Sequence, residues 1–200
     1  MADIDISLTV ARLVEEMRKA GGPPSDEFLN RLAAQVAMAF KAKKDEVAIL
    51  RLSADAKMLS FLFPIKLSKI GAIPLSTTPS LAAKTLRDKR GEIVNNFSVY
   101  KHPTVFEAVD LSPEEKASPI QKIVSVPMIG EGKVVGVIQI SRKGRAGEPM
   151  GADFTPRDLT ELTTVGAILG KFLATAPTAA PAPTKPAAPA PAKPAEPAKP

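Results

Sequence analysis

The 200-residue sequence predicts an α+β fold on three observations. Two segments of helical period come first. Two pairs of strand-like runs follow later, each joined by a turn so short that its strands must be antiparallel. A last long amphipathic segment precedes a tail rich in Pro, Ala and Lys. Strands bounded by helices, without the regular alternation of a parallel sheet, belong to the α+β class.

Taken in order, Val10, Leu13, Val14 and Met17 form a helical stripe, ended by Gly21-Gly22 and Pro23-Pro24. Ser25 is the expected N-cap of a second helix, with Asp26 and Glu27 where the helix dipole favours acids. Its apolar face is Phe28, Leu29, Leu32, Val36 and Phe40. "EVAILRLS" and "KMLSFLFPIKL" flank the turn "ADA" and read as a hairpin. Ile70 to Thr78 reads as loop. Thr78 then caps a third helix, "SLAAKTLRDKR", with Pro79 at its first position and Gly91 as its stop. "EIVNNF" is a short strand. "YKHPTVFEAVDLSPEEKAS" is irregular with one or two helical turns, and Ser112-Pro113-Glu114-Glu115 fits a capping box. "QKIVSVPMI" and "KVVGVIQIS" are strands. Thr155-Pro156-Arg157-Asp158 opens the last helix, whose face is Leu159, Leu162, Val165, Leu169 and Phe172.

Composition narrows the function. There is no Cys, so disulfides, thiolate nucleophiles and thiolate metal sites are excluded. The start "MADIDISLTV" lacks the basic and apolar regions of a signal peptide. No run approaches the roughly 20 apolar residues of a membrane span. A cytoplasmic protein without membrane contact is expected. The net charge of +6 is spread over short mixed-sign clusters such as "KAKKDE" and "SRKGR", without aromatic interleaving, so nucleic acid is not an expected partner. Residues 175–200 contain no apolar side chain larger than Ala and Pro, cannot build a core, and read as a disordered tether. The expected organisation is an N-terminal helix in 1–24, one domain in 25–174 and the tail.

"GEGKVVG" invites comparison with a phosphate loop. Gly130, Gly132 and Gly136 do not give the spacing G-x-G-x-x-G, Lys133 precedes Val134 rather than Ser or Thr, and a strand follows rather than a helix. The first two glycines therefore read as a hairpin turn using positive φ. Gly136, in mid-strand, marks a bulge or the close approach of another group. Pro127 cannot donate to a ladder, so a bulge or gap is expected beside it.

The element order resembles that of the GAF domain, a small-molecule sensing and dimerisation module. "SLAAKTLRDKRGEIVNNF" is similar to the family's helix, glycine and short strand. "IQKIVSVPMIGEGKVVGVIQIS" resembles its central hairpin, and "DFTPRDLTELTTVGAILGKFL" its closing helix, introduced by Phe-x-x-x-Asp. The resemblance covers about residues 25–174. It implies a PAS/profilin-like twisted antiparallel sheet of five to six strands, with terminal helices on one face and a loop-covered pocket on the other. It also implies a homodimer paired through those helices and a separate output protein.

Family members that bind cyclic nucleotides carry Asn-Lys after the last central strand, then Phe-x-x-x-Asp-Glu. Here the matching residues are Ser141-Arg142, then Phe154, Asp158 and Leu159. Arg142 and Asp158 are the expected structural pair, and a cyclic nucleotide is compatible but not favoured. The ligand-binding candidates are Phe61, Phe63, Asn96, Tyr100, His102 and Phe106. Tyr and Phe stack on flat ligands, and Asn and His bond their edges. If Phe61, Phe63 and Phe106 instead fill the pocket, the chain is an interaction module. His102 is the single His, so a multi-histidine metal site is excluded and no metal is expected. No catalytic grouping is present, and related sulfoxide reductases and bilin-attaching members need Cys. A non-catalytic regulatory domain is the expectation.

Overall fold

The computed structural model describes residues 5–68, 72–76, 80–97, 119–144 and 151–177. The expected helical turns within 101–118, the residues Tyr100, His102 and Phe106, and the tail beyond 177 lie outside them. In chain order the helices are α1 (Ile6–Ala20), α2 (Asp26–Ala39), α3 (Ile65–Ser68), α4 (Leu81–Asp88) and α5 (Pro156–Thr175). The strands are β1 (Val47–Leu52), β2 (Met58–Phe63), β3 (Ala72–Pro74), β4 (Glu92–Val94), β5 (Ile120–Gly130) and β6 (Lys133–Lys143).

All six strands form one antiparallel sheet in the order β3-β2-β1-β6-β5-β4. β5 and β6 are joined by Glu131-Gly132, both at positive φ (52° and 75°), the turn that matches the twist of paired strands. Ser25 accepts from the Phe28 amide and caps α2 as expected. Thr155 and Asp158 form the capping box of α5, with Pro156 in its first turn.

One face of the sheet carries the larger core. Val47 and Ile49 of β1, Val124, Val126 and Met128 of β5, and Ile138 and Ile140 of β6 pack there against α1, α2 and α5. Phe28 of α2 meets Phe172 of α5 edge-on at 5.5 Å. On the other face Leu50, Leu59, Phe61, Val137 and Ile73 pack with Ala82 of α4, and a third cluster joins Leu81, Phe97 and Ile123. The terminal helices thus share one face and α4 belongs to the other, while α3 contributes Ile65 to the first and Leu67 to the second.

Four local expectations change. The stretch from Ile70 to Thr78 contains the edge strand β3, in which Pro74 sits opposite Met58; an edge tolerates a residue that cannot donate. Ser80 rather than Thr78 caps α4, its hydroxyl accepting from the Ala83 amide. That helix ends at Lys89, in the left-handed region, before Gly91 is reached. Pro127 keeps its register with Val137, and the irregularity falls one step on, between Met128 and Ile129.

Candidate functional site

The sheet face turned away from the terminal helices has a polar centre. Residues in register across neighbouring strands share a face, and Ala48 of β1, Gln139 of β6 and Ser125 of β5 form one such row. The next row is Leu50, Val137 and Pro127; on the other side lie Ser141 and Ile123. α4 adds Thr85, whose hydroxyl is 2.7 Å from that of Ser125. Gln139 donates from Nε2 to the same Ser125 oxygen at 3.0 Å. Thr85 and Ser125 are fully buried and Gln139 is half-buried. A buried hydroxyl has to be bonded, and these two satisfy each other.

This row escaped the sequence reading, which named neither Ser125 nor Gln139 as a candidate. Its signal was there: Ser125 and Gln139 are the polar residues inside "IVSVPMI" and "VVGVIQI", each at a position whose alternation faces away from the helices.

The predicted residues fare differently. Phe61 lies on this face, buried with Leu50, Leu59 and Ile73. Phe63 does not; it is buried in the helix-side core with Val47 and Ile49. The cause is a one-residue irregularity in β2, because Ile49 pairs with Phe63 but the adjacent Leu50 pairs with Phe61. The strict alternation of a strand is broken there. Asn96 is exposed at the end of the segment that follows β4, and Asn95 beside it is half-buried. Asn95 donates to the Phe154 carbonyl at 3.0 Å and accepts from the Phe154 amide at 2.9 Å, as a strand neighbour would.

The expected Arg142–Asp158 pair is absent. Asp158 accepts from the Thr155 amide and hydroxyl at 2.7 Å, closing the cap of α5. Arg142, only 8% exposed, donates to the carbonyls of Phe40 (3.0 Å), Lys41 (2.8 Å) and Ala152 (3.3 Å). Its guanidinium also lies 4.7 Å from the centre of the Phe154 ring, within cation–π range. Phe40 is the C-cap of α2, where a cation meets the negative end of the helix dipole. Arg142 therefore fastens α2 to the loop before α5.

A second arginine does the same for α5. Arg51 of β1 donates to Leu173 (2.9 Å), Ala176 (2.7 Å) and Pro177 (3.0 Å), all carbonyls at the end of the helix. Burial holds its pKa below the usual arginine range, although the group stays charged at neutral pH. Glu46, buried before β1, accepts from the amides of Lys43 and Lys143 at 2.7 Å. Among the described residues no cluster of His, Asp or Glu is arranged to hold a metal ion, and no helix is long and apolar enough to cross a membrane.

No protein-family model matches the sequence, and no curated protein matches it. Solved structures do. The GAF domain of an Acinetobacter phosphoenolpyruvate-protein phosphotransferase matches at 18% identity and TM-score 0.58, over 84% of this chain and 92% of that one. The GAF domain of the Coxiella burnetii phosphotransferase matches at 13% identity and TM-score 0.58, over 87% and 95%. The free methionine-R-sulfoxide reductase of Neisseria meningitidis, solved with its substrate, matches at 15% identity and TM-score 0.57, over 84% and 86%. The chain has the GAF fold.

Proposed function

We propose that the chain is a regulatory, sensory domain without catalytic activity of its own. It binds a small molecule on the sheet face opposite the terminal helices and acts through a dimer or a partner protein. The observation that carries this is the row Ala48–Gln139–Ser125, in which a half-buried amide and a buried hydroxyl lie between apolar clusters. Ligand sites are mostly apolar with a few placed polar groups. The fold neighbours include domains of phosphotransferases, which supports a regulatory part, and one enzyme. Enzymes of that kind need Cys, and this sequence has none. Leu8 and Met38, exposed apolar side chains on α1 and α2, favour a pairing surface on the helical side.

The test is a thermal-shift screen of the full chain against metabolites and nucleotides. A ligand at 100 times its Kd stabilises the native state by about 2.7 kcal/mol, and at least one such shift is expected. A flat response across the panel overturns the sensory reading. It would leave the alternative that Phe61's burial already favours, an interaction module whose pocket is filled by its own side chains.

A further inference from the structure

We propose that Gln139 is the specificity-determining contact of this site, and that the ligand is uncharged and flat, with a hydrogen-bond donor and acceptor side by side, as on the edge of a lactam or a pyrimidine base. This rests on the sensory reading above and deepens it.

The argument begins with the amide itself. A primary amide has two donors and an acceptor oxygen. One N–H of Gln139 is held by Ser125, and Ser125 is held in turn by Thr85 of α4. The amide is therefore anchored by a buried chain of hydroxyls rather than left to rotate. Its oxygen and second N–H have no further partner among the described residues, and the oxygen is not sealed off. On the β1 side its neighbour is Ala48, which fills no more space than a methyl group. The donor–acceptor combination that remains on the planar amide is the one with which Gln reads a base edge.

Charge sets the other half of the class. Phosphate and carboxylate ligands call for Arg, Lys or a helix N-terminus. Among the described residues the row offers none. Of the described lysines, Lys84 bonds Glu92 at 2.5 Å by the β4 edge, and Lys143 bonds Asp45 at 3.3 Å. Arg142 and Arg51 are spent on helix ends on the opposite face. A charged ligand over this row would lose water without gaining a counter-charge. An uncharged ligand gains two hydrogen bonds in an apolar surround, where they are strongest.

The experiment uses uracil as the probe, on the isotope-labelled full chain. The comparison compounds are 1,3-dimethyluracil, which has the shape without the donors, and orotate, which adds a carboxylate. The readouts are the side-chain NH2 resonances of Gln139 and the thermal midpoint. Uracil is expected to move the Gln139 resonances and raise the midpoint. The two analogues, and uracil on Gln139→Leu, should bind at least about tenfold more weakly. Gln139→Asn, which keeps the polarity but withdraws the amide by one methylene, should show the same loss if Gln139→Leu fails to fold. If orotate or a cyclic nucleotide binds while the Gln139 resonances stay still, this inference falls and the sensory reading stands. If neither uracil, its analogues nor the wider metabolite panel binds, both fall.

Discussion

Arg142 is a buried cation that does without a carboxylate. The resemblance to the GAF domain implied Asp158 as its partner, because both residues match positions where members of that family place a charged pair. The structure gives the guanidinium three backbone carbonyls and an aromatic face instead. Carbonyl acceptors leave no trace in a sequence, since every residue has one, so this partner set was not legible. The consequence is measurable. Arg142→Met strands carbonyls at the end of α2 and is expected to cost about 3 kcal/mol in chemical denaturation. A double-mutant cycle between Arg142→Met and Asp158→Ala should give a coupling under about 0.5 kcal/mol, the additivity of independent sites; a larger coupling would restore the pair. Asp5 is a second residue-scale case. Its carboxylate accepts from Ser7 and Leu8 at the start of α1, and the bond with the Ser7 side chain is the main cause of its lowered pKa. A lowered folded pKa stabilises above the unfolded value and is lost as pH falls through the folded one. The Ser7 and Leu8 amides are therefore expected to lose their cap only below about pH 4, where free Asp titrates; amide shifts against pH would show it.

At the scale of elements, helix starts were read well where a side chain does the capping, as at Ser25 and Thr155. The start of α4 was read two residues early, because Thr78-Pro79 and Ser80 both carry acceptable chemistry and only tertiary packing chooses. The seating of α5 was not read at all. Gly166 and Gly170 lie one helical turn apart and face β5. A Cβ on Gly170 would fall 2.3 Å from the Ile129 carbonyl, and one on Gly130 would fall 2.2 Å from the Gly170 carbonyl. The helix backbone therefore rests directly on the strand backbone. The spacing was visible in "GAILG", but nothing in the sequence says what it faces. Gly170→Ala is expected to cost 3 kcal/mol or more, roughly the upper end for overpacking, because only backbone could yield. Gly166→Ala, whose nearest contact would be 3.1 Å, should cost about 1 kcal/mol. Equal costs in urea unfolding would contradict this seating.

For the whole molecule, the class of fold was legible from hydrophobic period and strand order, and the side on which the terminal helices lie was legible only through the resemblance to the GAF domain. The polar floor of the site was not, because it is assembled from single residues on three elements. The hold on the end of α5 is also a whole-molecule property. Arg51 takes acceptors as far as Pro177. A chain ending there should melt within about 1 °C of the full chain, since the residues beyond cannot build a core. A chain ending at Leu173 strips Arg51 of two acceptors and should lose about 2 kcal/mol, or roughly 4–8 °C by calorimetry.

Arg51 also has a mechanical meaning. It sits between Leu50 and Leu52, which join the cluster on the far face of the sheet, while its own side chain reaches the end of α5. Successive residues of a strand point to opposite sides, so β1 joins the far-face cluster directly to the end of α5. The packing of the far face and the hold on the segment through Pro177 thus rest on adjacent residues of a single strand.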